Sequence, residues 1–235
     1  MANIIKLTAS DGSTVEFYDE IKAQGGVKDV YFSTDKTYVV AFYRNPTNAN
    51  DKARLENIVG VYREKIFVQN SDGDYWNDIF AWPTKMVEWK GLTGIVIPFY
   101  NKKFFFTGID AQWPFIKNGQ EKNGKWFSSA KLINKFVPAD QKGTFLSRLH
   151  MCLKIARGIR RIHAAGLAHS DLSYNNVLVD PLSGSACIID DDGLVVPGKF
   201  PPEVVGTPGF IAPEVLATNC LLYTSPSPRD RSLSR

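Results

Sequence analysis

The chain has 235 residues, and its 28 Lys and Arg outnumber 24 Asp and Glu to leave a net charge of +4. The basic residues are scattered, which excludes a nucleic-acid footprint as the basis of function. With 44% hydrophobic and 12% aromatic residues there is material for a sizeable core, in one large or two small domains.

From the N-terminus, MANIIKLTASDG lacks the basic-then-apolar pattern of a signal segment, and no apolar run reaches membrane-span length. Strands are expected over 4–8, 14–18, 30–33 and 38–43, punctuated by turns at Asp11-Gly12 and near Asp35. Over 51–67 the apolar residues Leu55, Ile58, Val59, Tyr62 and Ile66 recur at three and four, which predicts a helix. Residues 94–100 form a compact apolar strand running into Pro98-Phe99-Tyr100, and 117–124 (KNGQEKNG) is a polar loop. Over 145–165, Leu149, Leu153, Ala156, Ile159 and Ile162 mark the apolar face of a helix stopped at Gly166. His150 and His163 lie on it without a carboxylate or thiol at ligand spacing, so both are read as structural. Cys152, Cys187 and Cys220 are odd in number and far apart. Neither a disulfide framework nor a zinc site is indicated; the first two are expected as buried, reduced thiols in a cytoplasmic setting.

Three motifs follow in order: HSDLSYNN, IIDDDG and GTPGFIAPE. In the first, Asp171 follows His169 by two residues and Asn176 follows Asp171 by five, the H-x-D-L-x-x-x-N pattern of phosphoryl transfer. Asp171 would orient the substrate hydroxyl or accept its proton, and Asn176 would hold a metal. The second motif ends an apolar strand at 186–189, so a carboxylate there shares the same metal; counting selects either Asp190 or Asp191, with Asp192 read as a solvated neighbour. Asn176 with one of these aspartates makes the oxygen-rich site that Mg2+ prefers. In the third motif Thr207 lines the substrate site and Ala212-Pro213-Glu214 closes the segment.

Each motif alone occurs often as a turn; order, spacing and strand context carry the reading. In these motifs the chain resembles the eukaryotic-like (Hanks-type) protein kinases, and GTPGFIAPE is similar to their Ser/Thr branch. HSDLSYNNVLVDP and DGLVVPGKFPPEVVGTPGFIAPEV are similar to bacterial kinases of the tellurite-resistance-associated type. The resemblance implies a two-lobed α+β kinase-like fold with an incomplete C-lobe: an N-lobe over 1–97, and hinge, insertion and partial C-lobe over 98–219. It implies ATP and Mg2+ as cofactors, a protein substrate, and partners such as a von Willebrand factor A-like protein and a metal-dependent phosphatase; the scattered charge and short apolar runs lead to the expectation of no nucleic acid and no membrane. Val30, Ala41, Leu178 and Ile189 fall where the family packs adenine, and they read equally as ordinary core.

Several positions depart from the family pattern. The glycines of G-x-G-x-x-G-x-V would fall at 23, 25 and 28; the chain has Ala23, Gly25 and Lys28, with Gly26 keeping the turn flexible. The strand lysine is replaced by Tyr43, Arg44 points to the other face, and Lys28 is a substitute cation to consider. Glu56 and Glu64 are the candidate helix carboxylates. Ser170 replaces the Arg of H-R-D and Ser173 the following Lys, while the segment 193–206 holds no Ser, Thr or Tyr. Together these absences imply an enzyme not switched by phosphorylation of that segment. These losses keep a rival reading open: a pseudokinase that binds nucleotide or a partner without transfer. From Cys220 the sequence changes character, and CLLYTSPSPRD resembles a translated transposase sequencing adaptor. Residues 220–235 are therefore read as foreign to the domain and the chain as a fragment.

Overall fold

The computed structural model of the protein describes residues 3–67, 73–196, 198–200 and 206–211. Alternating burial over 4–8 and 14–18, and burial on both faces over 40–43 and 93–96, build its first sheet. Strands β1 (Ile4–Thr8), β2 (Thr14–Gln24), β3 (Lys28–Ser33) and β4 (Tyr38–Tyr43) form a meander, and a hairpin of β5 (Lys85–Trp89) and β6 (Leu92–Pro98) completes it in the order β1-β2-β3-β4-β6-β5, with antiparallel pairing throughout. On one face Val15, Phe17, Tyr31, Val40, Phe42, Val87 and Val96 pack together. Phe17, Tyr31 and Phe42 all meet Trp89, with ring centroids 5.4 to 5.7 Å apart. Gly94 lies under Phe42, whose ring a Cβ would meet at 2.6 Å, so no larger residue fits there without displacing the ring.

β2 runs six residues past its expected end. Residues 19–24 are exposed on both faces and carry no alternating signal, and the pairing with β3 continues through register shifts on either side of Ile21.

The helix expected over 51–67 begins earlier, as α1 (Ala49–Asn57), where the Asn48 side chain caps it by accepting the Asp51 amide at 2.9 Å. A π turn (Ile58–Tyr62) follows, then α2 (Arg63–Phe67). The Ile58 carbonyl in this turn accepts both the Arg63 amide and the Trp82 indole, the latter at 2.9 Å. α3 (Gly73–Ile79) and α4 (Ala130–Phe136), like β5, had no counterpart in the sequence reading. The two helices span seven residues each, too short to show a helical period, and β5 buries the neighbours Met86 and Val87 rather than alternate residues.

Below the sheet, α5 (Phe145–Ala164) packs on the two-stranded ribbon of β7 (Val177–Asp180) and β8 (Ser185–Ile188). Gly166 ends α5 in the left-handed conformation, at φ 82°. The buried stripe of α5 is Met151, Gly158 and Ile162 with Ile155 and Ile159 partly covered; of the expected face Ile159 and Ile162 lie on the core, whereas Leu149, Leu153 and Ala156 are exposed, and so are Phe145, Leu146 and Cys152. This helix is apolar on two sides, so periodicity alone did not choose between them. Gly158 settles it, because its missing side chain lets β8 approach; a Cβ would lie 2.7 Å from Ile188. Of the two cysteines expected to be buried, Cys187 is and Cys152 is not.

One core joins the two halves: Ile58 and Ile66 pack with Ile79, Phe80, Trp82, Ile162, Ile188 and Leu194. Arg161 of α5 adds a polar tie, donating to the Ile66 carbonyl at 2.8 and 3.1 Å and to Lys65 O at 2.8 Å. These are carbonyls of the last turn of α2, which a cation at a helix C-terminus satisfies. A second buried charge sits at the ribbon's end, where Lys122 donates to Asp180 and to Lys103 O, each at 3.0 Å. Burial works to raise the Asp180 carboxyl, but Ser183 and Lys122 outweigh it and hold it below the usual carboxylate range.

Two stability predictions follow from these ties. Arg161→Ala should cost about 2 kcal/mol, read by thermal or denaturant unfolding, with Arg161→Lys recovering only part because one ammonium does not span both carbonyls. Asp180→Asn should cost about 3 kcal/mol at neutral pH by stranding the Lys122 ammonium. Because the folded carboxyl is depressed, its contribution is complete above about pH 4 and is lost as the pH falls through the folded pKa. The gap between variant and parent should therefore be constant from pH 7 to about 5 and narrow below about 4.

Candidate active site

The HSDLSYNN loop, 169–176, is held by its own polar groups. The Asp171 amide donates to His169 Nδ1 at 3.2 Å, and His169 Nε2 faces the Ile189 carbonyl at 3.3 Å. Burial lowers the imidazole pKa against the pull of Ile189 O and the nearby aspartates. Because Nδ1 accepts the Asp171 amide, the ring carries its proton on Nε2, which faces the Ile189 carbonyl. Ser173, buried, accepts the Asn175 amide at 3.3 Å and caps the short turn Tyr174–Asn176. Asn176 Nδ2 donates to Asp171 O at 2.8 Å and to Asp171 Oδ2 at 3.2 Å. The other carboxylate oxygen, Oδ1, accepts the Thr207 amide at 2.8 Å. Asp171, Asn176 and Thr207 therefore lie together.

Thr207 reaches Asp171 through Gly206, whose φ is 100°; a Cβ on Gly206 would fall 2.7 Å from the Ser170 carbonyl. Ser170, where the motif has Arg, sits with its hydroxyl 3.4 Å from Gly193 O. Ala212-Pro213-Glu214 and the tail 220–235 lie outside the described residues.

The three consecutive aspartates occupy three different environments. Asp190 is left-handed, at φ 65°, and its side chain is 47% exposed. Asp191 is buried, neither carboxyl oxygen has a partner among the described residues, and burial with two flanking aspartates pushes its pKa well up. Asp192 is also buried, which corrects its reading as a solvated neighbour. Its carboxylate takes Lys28 Nζ at 2.7 and 2.8 Å and the Tyr43 hydroxyl. Lys28 also reaches Asp190 Oδ1 at 2.9 Å. Burial would push the Asp192 carboxyl up, but Lys28 and Tyr43 hold it down. Likewise burial works against the Lys28 ammonium, and Asp192 and Asp190 more than compensate, leaving it above its ordinary range.

Of this cluster the sequence points to Lys28 and Asp190, but not to Asp192 and Tyr43 as partners of that cation. The missed signal was the β3–β4 hairpin: once Phe32 pairs with Val39, the register places Lys28 opposite Tyr43 on one face. Arg44 lies on the other face, bonded to Asp29 at 3.0 Å and to the Gly25 carbonyl. Glu56 and Glu64 are exposed.

Of the nucleotide-pocket candidates, Val30 and Ala41 pair across β3 and β4 and share one cluster, while Leu178 and Ile189 share another, and Ile97 packs against both. Tyr100 packs on the second cluster, where burial, then Glu121, raise its hydroxyl pKa. Gly25 and Gly26 form the β2–β3 turn, closed by the Gly25 amide on Lys28 O at 2.9 Å. Neither has a positive φ and a Cβ on either would meet nothing closer than 3.7 Å, so the turn itself does not demand glycine.

Among the described residues no three His, Cys, Asp or Glu side chains are grouped to hold a metal, and no helix is long and apolar enough to cross a membrane.

No protein-family model matches the chain. It is similar to the dual specificity testis-specific protein kinase 1 of Rattus norvegicus, 42% identical over 78 residues, which cover 29% of this chain and 12% of that protein. The dual serine/threonine and tyrosine protein kinase of Strongylocentrotus purpuratus is 38% identical over 71 residues, 30% of this chain and 7% of the relative. The matches thus span a small part of these relatives' length. By structure it is similar to a rhoptry kinase from Toxoplasma gondii, with a TM-score of 0.55 and 14% identity over 94% of this chain and 58% of that one. A second Toxoplasma gondii protein, a virulence factor described as having a protein-kinase fold and no enzymatic activity, gives 0.52 and 14% over 92% and 61%. The sequence relatives are named as protein kinases, the structural neighbours have kinase folds, and the chain has an α+β, protein-kinase-like fold.

Proposed function

We propose that the chain is the catalytic part of a protein kinase that moves the γ-phosphoryl group of ATP to a Ser or Thr hydroxyl of a protein. The observation that carries this reading is the Asp171 carboxylate, fixed on one oxygen by the Thr207 amide and on the other by Asn176. Each oxygen keeps lone-pair capacity, so the group can take a hydrogen bond from an incoming hydroxyl without turning. In the reaction the hydroxyl oxygen bonds to the γ-phosphorus as the bond to the β–γ bridging oxygen breaks; ADP leaves and the hydroxyl proton passes to Asp171. Val30 and Ala41 above, with Leu178 and Ile189 below, would enclose the adenine.

The donor set fits Mg2+: a half-exposed carboxylate on Asp190 and Asn176 Oδ1, hard oxygens that leave room for water. Bound there, the ion would neutralise charge on the phosphates. Asp190 is assigned in preference to Asp191, whose carboxyl is buried and disfavoured as an anion. With Ser170 in place of an arginine, no guanidinium at that position receives a phosphate on residues 193–206, which supports the expectation that phosphorylation there is not the switch. A von Willebrand factor A-like partner and a metal-dependent phosphatase rest on the resemblance to tellurite-resistance-associated kinases, and a cytoplasmic setting on the scattered cysteines and the signal-free start.

The rival, a binding module, draws on Tyr43 where the strand lysine is expected. Transfer of labelled phosphate from Mg–ATP to a mixture of Ser- and Thr-containing peptides decides between them. Asp171→Asn should lower the rate about 100-fold or more while leaving nucleotide binding within twofold. Nucleotide binding with no transfer in the parent chain would establish the binding module instead. Gly206→Ala should also lower kcat, about tenfold, with little change in Tm, because it displaces the Thr207 amide from Asp171 and spares the core.

A further inference from the structure

The phosphoryl-transfer reading leaves one question at its centre: what replaces the strand lysine. At Tyr43 the β4 side chain ends in a hydroxyl committed to Asp192. Arg44 is turned to the opposite face and held by Asp29 and the Gly25 carbonyl. The cation on the site's own face is Lys28, directly across the hairpin from Tyr43, with its side chain only 15% exposed. Its three acceptor contacts go to Asp192 Oδ1, Asp192 Oδ2 and Asp190 Oδ1, at 2.8, 2.7 and 2.9 Å.

We propose that Lys28 is the residue that grips the phosphate tail of the nucleotide, anchored by Asp192 and Tyr43 rather than by a helix glutamate. The proposal rests on the phosphoryl-transfer reading for its reaction, and on the geometry of this cluster for the residue.

The two aspartates divide the work. Asp192 is buried and fixed by Tyr43, so it remains with the ammonium in every state of the site. Asp190 is half exposed and is the group assigned to Mg2+; once so engaged it releases its share of Lys28, whose freed N–H can turn to a phosphate oxygen. Glu56 and Glu64, exposed on α1 and α2, take no part. In kinases at large the lysine's partner rides on a helix, and the position of that helix controls activity. Here the partner lies two residues from the metal carboxylate, and the helix itself is tied down by Arg161. Alignment of the cation therefore needs no helix movement, and the site is set without that switch.

The test measures binding of Mg–ATP and of adenosine by titration calorimetry on the whole chain, together with phosphate transfer. Lys28→Met should weaken Mg–ATP about 10- to 100-fold and leave adenosine unchanged, since only the phosphate tail loses a charge-assisted bond. The paired exchange Lys28→Tyr with Tyr43→Lys moves the ammonium across the hairpin on the same face and should restore Mg–ATP affinity to within about tenfold of the parent. Unchanged Mg–ATP binding in Lys28→Met overturns the proposal. So does loss of adenosine and Mg–ATP binding together without rescue by the exchange, which would make Lys28 a structural residue only. If the parent chain transfers no phosphate, the transferase reading fails, while the comparison of Mg–ATP with adenosine still decides the role of Lys28.

Discussion

The main chain of Ile189 is the joint on which the site depends. Its amide donates to the Asn176 carbonyl at 3.0 Å and its carbonyl faces His169 Nε2, so one residue at the end of β8 holds both ends of the loop 169–176. The loop that carries Asp171 and Asn176 and the acidic turn that carries Asp190 and Asp192 are thereby fixed to each other. A single tautomer of His169 serves both sides, Nε2–H donating to the Ile189 carbonyl while the unprotonated Nδ1 accepts the Asp171 amide. Burial of the imidazole is therefore part of the alignment of the carboxylate beside it.

The acidic turn shows how backbone geometry assigns different tasks to identical side chains. Asp190 adopts the left-handed conformation, which Asp tolerates better than most residues, and the chain then turns so that the next carboxyl enters the core. The third returns to the upper sheet and meets Lys28 and Tyr43. Coulomb repulsion among three adjacent carboxylates is relieved in two ways: burial and its two acidic neighbours push the Asp191 pKa up, disfavouring its charged form, and Asp192 shares a lysine with Asp190.

The sequence made much of this legible. The meander, the long helix before the catalytic loop and the motif order were readable because each rests on local rules of period, cap and spacing. The shorter elements α3, α4 and β5 were not, since they are stabilised by contacts from elsewhere in the chain. The inner face of α5 was hidden by a second apolar stripe through Leu149 and Leu153. In the site, Asp171 and Asn176 were identifiable from loop spacing, whereas Asp192 was not, because its partners are 149 and 164 residues away. Only the register of a hairpin, combined with the packing of the two halves, brings Lys28 to it.

The Ile189 joint has an evolutionary side. Because two of its contacts are made by peptide groups, nearly any apolar residue at 189 supplies them, and the alignment does not depend on the neighbouring side chains that differ from the usual motif. Ser170 and Ser173 stand where an arginine and a lysine are expected, yet the loop between them keeps its internal bonds. A scaffold whose catalytic geometry is carried by peptide groups tolerates drift in its signature residues. It can exchange one cation position for another without losing the frame that makes either useful.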